Sequence, residues 1–128
     1  MTVRVVKLGS PRSQGEGLRI GTVRRPPRGV PKSEFASRNW YDVWYPNLAP
    51  SVETMKLAQA AETPQQWRAF EQRYKSEMAT PENRRTIDLL AALSQQAAFS
   101  VGCYCDDESR CHRSILRHLL EAAGAKMD

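Results

Sequence analysis

Phe99-Ser-Val-Gly-Cys-Tyr-Cys105, then Asp106-Asp-Glu-Ser-Arg110 and Cys111-His112-Arg113, is the stretch that decides the fold. Ala97 to Cys105 is mostly apolar and built from small residues, the composition of a central strand covered on both faces. A short acidic loop follows. Ile115, Leu116, Leu119, Leu120 and Ala123 then mark one face of a helix starting near Ser109, with Gly124 as its stop. A strand–loop–helix unit late in a chain that opens with strands predicts an α/β domain: a small layered domain with a short mixed or parallel sheet flanked by helices.

Upstream, Thr2 to Leu8 carries Val3, Val5, Val6 and Leu8, a β-branched pattern that favours a strand. Residues 9–17 read as a polar, mobile loop, and Leu18 to Val23 resumes an extended pattern. Pro26, Pro27 and Pro31 exclude a regular helix or central strand there. Trp40, Tyr41, Trp44 and Tyr45 supply four of the ten aromatics in a strand-like or irregular segment. Ser51 is placed to cap a helix running to about Ala61. Thr63-Pro-Gln-Gln66 combines a cap, a proline at the first helical position and a capping box. Trp67, Phe70, Tyr74 and Met78 follow at helical spacing, and Thr80-Pro81 opens another helix with Ile87, Leu90 and Ala91 on its core face.

The 128 residues are expected to form a single domain, 1–128, able to bury one core. No apolar run approaches the roughly 20 residues that span a bilayer, and the N-terminus is too short in apolar residues for a secretory signal. The expectation is a cytoplasmic protein with no membrane partner. Three cysteines cannot all pair within one chain, so packing, reactivity or metal binding must account for them.

All three cysteines and one of two histidines fall between Cys103 and His112. At a helix N-terminus, beside His112 and Arg113, Cys111 is a candidate for a depressed pKa and a nucleophilic thiolate. Cys111 and His112 are therefore the candidate catalytic pair, and Arg110 and Arg113 candidates to clamp a phosphate or carboxylate. A phosphatase-type loop needs five residues between its cysteine and arginine. Here Cys111 stands at that position counted from Cys105, and Ser109 counted from Cys103, with three acids nearby to repel a dianion. A zinc site is opposed by the spacing too. Residues i and i+2 of a strand lie about 7 Å apart, and adjacent helical residues diverge. No metal is therefore assigned. Packing remains the plain alternative, with Cys103 and Cys105 as small core residues, Cys111 under the helix and His112 on the surface. His118 is expected to face solvent.

Charge is uneven. Residues 1–40 hold nine Lys/Arg against two acids, while the remainder is slightly acidic. Arg19, Arg24, Arg25 and Arg28 surround a proline-stiffened turn, and arginine forks recognise phosphate bidentately. Arg24 and Arg28 are thus candidate ligand-binding residues. The neighbouring aromatics would serve as core, lid or stacking platform.

Arg19-Ile20, Arg24, Pro27-Arg28-Gly29, Trp40, Ala49-Pro50-Ser51, Phe70, Tyr74 and Cys111-His112-Arg113-Ser114 together resemble the DUF four-eight-eight family, the YeaO-like conserved bacterial proteins. The resemblance covers about Leu18 to Leu120 and implies a small α/β domain with no established activity or cofactor. Members often carry an aspartate and a tryptophan where this chain has Val23 and Pro26, so anion recognition by Arg24 and Arg28 is the role that carries over.

The leading expectation is a domain binding a small anionic ligand, a nucleotide or phosphorylated metabolite, and using a Cys-His-Arg loop as an enzyme would. Two alternatives stand beside it. One is a nucleic-acid-binding module built on the basic N-terminal third. The other is a redox-responsive protein in which Cys105 and Cys111 pair.

Overall fold

The computed structural model describes residues 1–128. Its sheet has four strands: β1 (Val3–Lys7), β2 (Leu18–Gly21), β3 (Val43–Trp44) and β4 (Phe99–Cys103). They lie in the order β1-β4-β2-β3 and every pairing is parallel. β4 is central, as its composition predicts, and all five of its residues are buried. It is shorter than the apolar run, because Tyr104 and Cys105 leave the sheet.

Alternation assigns the two faces. Phe99 and Val101 share a face with their register partners Val3, Val5 and Ile20, and this face carries the main core. Packed there are α2 (Pro64–Met78) through Phe70, Tyr74 and Met78, α3 (Pro81–Leu93) through Ile87 and Leu90, and α4 (His112–Ala122) through Ile115, Leu116 and Leu120. The shorter α1 (Val52–Ala60) lies against α2. The start signals are realised. Ser51 Oγ accepts from Thr54 N–H and is held by Glu77, and Thr63 and Gln66 close the capping box. Gly124 (φ +99°) follows α4 in the left-handed conformation that favours glycine. α4 begins later than expected. Asp107 caps a single 3-10 turn over Glu108–Arg110, and Cys111 is extended (φ −139°, ψ 153°), so it becomes the N-cap.

The opposite face is covered by loops. It presents Arg19 and Gly21 from β2 beside Ser100 and Gly102 from β4. A Cβ on Gly21 would sit 2.4 Å from the Tyr41 ring, and one on Gly102 2.8 Å from Leu8. The missing side chains are therefore what lets these two loop residues seal the sheet. Between them lies Arg19, which is fully buried and so is not among the exposed arginines of the proline turn. Its Nε and Nη2 donate to Glu16 at 2.7 and 2.9 Å, and its Nη1 to the carbonyls of Ser10 and Asn39. Ser100 Oγ donates to the same Glu16 carboxylate at 2.9 Å. Glu16 thereby anchors the 9–17 loop to the centre of the sheet.

Burial pushes the Glu16 carboxyl up, but hydrogen bonds from Arg19, Ser100 and Ser13 outweigh it and bring the pKa down to about 2. A depressed carboxylate contributes stability that is complete above its unfolded pKa and lost as pH falls through its folded one. Stability should accordingly drop on the order of 3 kcal/mol between about pH 5 and pH 2 from this group. Glu16→Gln should remove that acid sensitivity and cost about 3–5 kcal/mol at neutral pH, since it strips a buried guanidinium of its counter-charge. Urea midpoints at pH 7 and pH 3 test this; equal acid sensitivity in both proteins would refute the role.

Candidate functional site

Where β4 ends and α4 begins, three thiols, an imidazole and a guanidinium meet. Cys103 is the last residue of β4 and Cys111 the N-cap of α4; both are 2% exposed and their sulfurs are 2.6 Å apart. The extended conformation of Cys111 turns it toward the strand, which a purely helical reading of the segment does not anticipate. The close thiol pair is thus Cys103–Cys111 rather than Cys105–Cys111. Cys105 is the exposed thiol of the three.

His112 is buried, not on the surface. Its Nε2 lies 2.8 Å from the Thr22 carbonyl and 3.2 Å from Thr22 Oγ1, and the Tyr74 ring packs edge-on against it at 5.5 Å. A carbonyl only accepts, so Nε2 carries a proton and Nδ1 faces Cys111 Sγ at 3.6 Å. A thiol beside an imidazole that a third group orients is the arrangement by which cysteine nucleophiles lose their proton.

Arg113 is 3% exposed, yet no carboxylate lies within ion-pair distance of it. Nη2 donates to the Cys105 carbonyl at 2.7 Å and Nε has no partner. A buried cation without a counter-ion is costly, and the groups around it that can become anionic are the thiols. Their protonation is ordered. Hydrogen bonds to Cys105 and Cys111, with burial, keep the proton on Cys103. The neighbouring Cys103 and Cys111 thiols hold Cys105 well below the ordinary thiol value against the opposing effects of burial and of Asp106, and Arg113 lowers it further. The Cys103 thiol and His112 lower Cys111.

Cys103, Cys111 and His112 also offer the nearest set of metal ligands, with donor atoms within 4.8 Å of one another. The convergence is closer than the sequence spacing suggests. Tetrahedral zinc bonded at about 2.3 Å needs sulfurs about 3.8 Å apart, so this pair would have to separate to admit it.

A cavity of about 360 Å³ opens over the site, lined by Cys103, Cys105 and His112 together with Arg24, Arg25 and Lys56. Arg24 is half-buried and steadied by the Ala49 and Pro50 carbonyls. A second cavity of about 600 Å³ adjoins it, sharing Arg25 and Tyr104 and containing Lys7, Arg28 and Trp40. The candidate arginines therefore take different places. Arg24 and Arg113 flank the thiols, Arg28 lies in the neighbouring cavity, and Arg110 stacks on Trp67 at 4.9 Å and lines neither. The acidic loop is occupied elsewhere: Asp106 pairs with Lys7, Asp107 caps Ser109, and Glu108 binds Arg117 through both oxygens. Thr22, Lys56 and Tyr104 join the site with no local sequence signal. Arg25 was visible only as part of the basic cluster.

Replacing the buried cation provides a direct check. In Arg113→Met the pH midpoint for Cys105 alkylation should rise by at least one unit toward the ordinary thiol value, near 8.5, while Arg110→Ala leaves it in place. An unmoved midpoint in Arg113→Met would reduce that guanidinium to packing.

No helix is long and apolar enough to cross a membrane. No curated protein and no solved structure matches the chain. A family model described as the active DUF488-N3 subclade matches residues 3–124, nearly the whole length. The chain therefore belongs to the DUF488-N3a family, in agreement with the resemblance carried by its arginine, proline and Cys-His-Arg motifs.

Proposed function

We propose that the protein is an enzyme that uses the Cys105 thiolate on a small phosphate-bearing ligand, a nucleotide or phosphorylated metabolite, in the reducing compartment of the cytoplasm. The observation that carries this reading is the buried Arg113 beside thiols, with no carboxylate in ion-pair contact. A thiolate is the anion that balances such a charge, and a thiolate is a nucleophile.

The roles follow from position. Cys105 reaches the cavity and meets the ligand, while Arg113 stabilises its charge from beneath. Cys103 keeps its proton beside it, its sulfur accepting the Cys105 N–H and lying against Cys111. Cys111 and His112 form the adjoining proton-exchanging pair, oriented by the Thr22 carbonyl. Arg24, Arg25 and Lys56 on the cavity wall supply charge for the ligand's anionic group. No acid lines that cavity; of the acidic loop, Asp106 pairs with Lys7 and still opposes the Cys105 charge, against the stronger lowering by the neighbouring thiols.

A redox reading has its own observation, the 2.6 Å approach of Cys103 and Cys111. It predicts the loss of two titratable thiols on mild oxidation, with those two residues linked in the peptide map.

Peptide-mapped alkylation across pH tests the main reading. An ordinary thiol with a pKa near 8.5 alkylates about 150-fold more slowly at pH 6 than at pH 8.5. Cys105 should change less than about threefold over that range, and phosphate or a mononucleotide should protect it. If all three cysteines stay slow until the protein unfolds, the thiolate reading falls.

A further inference from the structure

We propose that the two adjoining cavities form one groove for a single-stranded oligonucleotide, with one phosphate above Cys105 and a neighbouring nucleotide held by Arg28, Trp40 and Tyr104. The proposal rests on the reading of the Cys105 cavity as an anion site and names the class of ligand that would enter it. Arg25 and Tyr104 line both cavities, so one occupant can run from Lys56 at one end to Arg28 at the other. Five cations line this path and no carboxylate does. Lys7 is paired with Asp106, whereas Arg25 and Arg28 are exposed and have no acidic partner. The larger cavity, about 600 Å³, lies within the range of small-molecule sites and exceeds what a lone phosphate needs.

Two aromatic residues, Trp40 and Tyr104, line the larger cavity with the cations. Trp40 and Tyr104 meet edge to face, their centroids 5.8 Å apart. The Tyr104 hydroxyl donates to the Arg25 carbonyl at 2.8 Å, which ties the arginine-bearing turn to the end of β4. Pro26 and Pro27 stiffen that turn. Cations spaced along a groove with aromatic rings between them match a chain of phosphates and unpaired bases. A bare polyphosphate would leave the rings unused. A duplex keeps its bases stacked on one another, so it presents no free face to Trp40 or Tyr104.

Two measurements test this on the full chain. Fluorescence anisotropy with a labelled tetranucleotide bearing a 5′-phosphate should show log affinity falling against log salt with a slope between about −2 and −3, from three or four neutralised phosphates at roughly 0.7 each. Arg28→Ala, a change at an exposed position, should weaken binding about tenfold and flatten the slope by about 0.7. In parallel, inorganic phosphate should protect Cys105 of the unsubstituted protein from alkylation. If phosphate protects but the tetranucleotide binds no tighter than a mononucleotide, or is indifferent to Arg28→Ala, the groove is refuted and the thiol site stands. If phosphate fails to protect a reactive Cys105, the anion-site reading falls and the proposed register of the strand goes with it.

Discussion

The buried Arg19–Glu16 pair is the constraint on which the rest of this fold hangs. A parallel sheet is ordinarily covered by helices on both faces, but here all four helices follow β3 or β4 and the main core lies on one side. The other side must be closed by loops, which carry backbone groups that water can no longer reach. Arg19 supplies the donors they need. One guanidinium at the centre of that face satisfies the Ser10 and Asn39 carbonyls and fixes Glu16, and Glu16 in turn takes the Ser100 hydroxyl from the central strand. A hydrophobic side chain at position 19 would pack on the sheet but leave those loops without an anchor.

That anchoring reaches the site. β2 carries Arg19, and immediately past its end Thr22 accepts the His112 ring proton. The Thr22 N–H and hydroxyl both donate to the Gly102 carbonyl of β4, so Thr22 is locked to the strand that ends in Cys103. From the helical side, Tyr74 of the main core packs against the same imidazole and hydrogen-bonds the Leu48 carbonyl. His112 is therefore gripped between the two layers, with its orientation set by groups that belong to the fold. Positioning of this kind is what a proton-exchanging pair requires.

Much of the architecture was legible in the sequence because it depends on local rules. Ser51, the Thr63–Gln66 box and Gly124 act within one helical turn, and the apolar run from Ala97 to Cys105 announces a buried strand whatever its neighbours are, though the strand itself stops at Cys103. The site was legible only as a cluster. Spacing along the chain argues against Cys103, Cys111 and His112 meeting, and it fails because Cys111 is extended and the chain between them doubles back through a 3-10 turn. Arg19 was misplaced for a related reason. A basic residue near other basic residues reads as surface, and its counter-charge, Glu16, looks like one more polar residue in a loop. Burial of an ion pair depends on what covers it, and here the cover comes from residues 8 to 16 and from Tyr41.

The distribution of charge gives the site its character. The other charged groups near the cavities are exposed to water, half-buried on carbonyls as Arg24 is, or matched: Asp106 by Lys7, Glu108 by Arg117, Asp42 by Arg12. Arg113 is the exception, both buried and unmatched by any carboxylate. Glu16 beneath Arg19 shows that this fold can provide a carboxylate for a buried arginine where the role is structural. At Arg113 the corresponding place is taken by sulfur. A carboxylate there would balance the charge permanently and chemically inertly, whereas thiols balance it only when one of them ionises; under the function proposed above, the same guanidinium that completes the packing of α4 would help keep a nucleophile charged at the mouth of a cationic cavity.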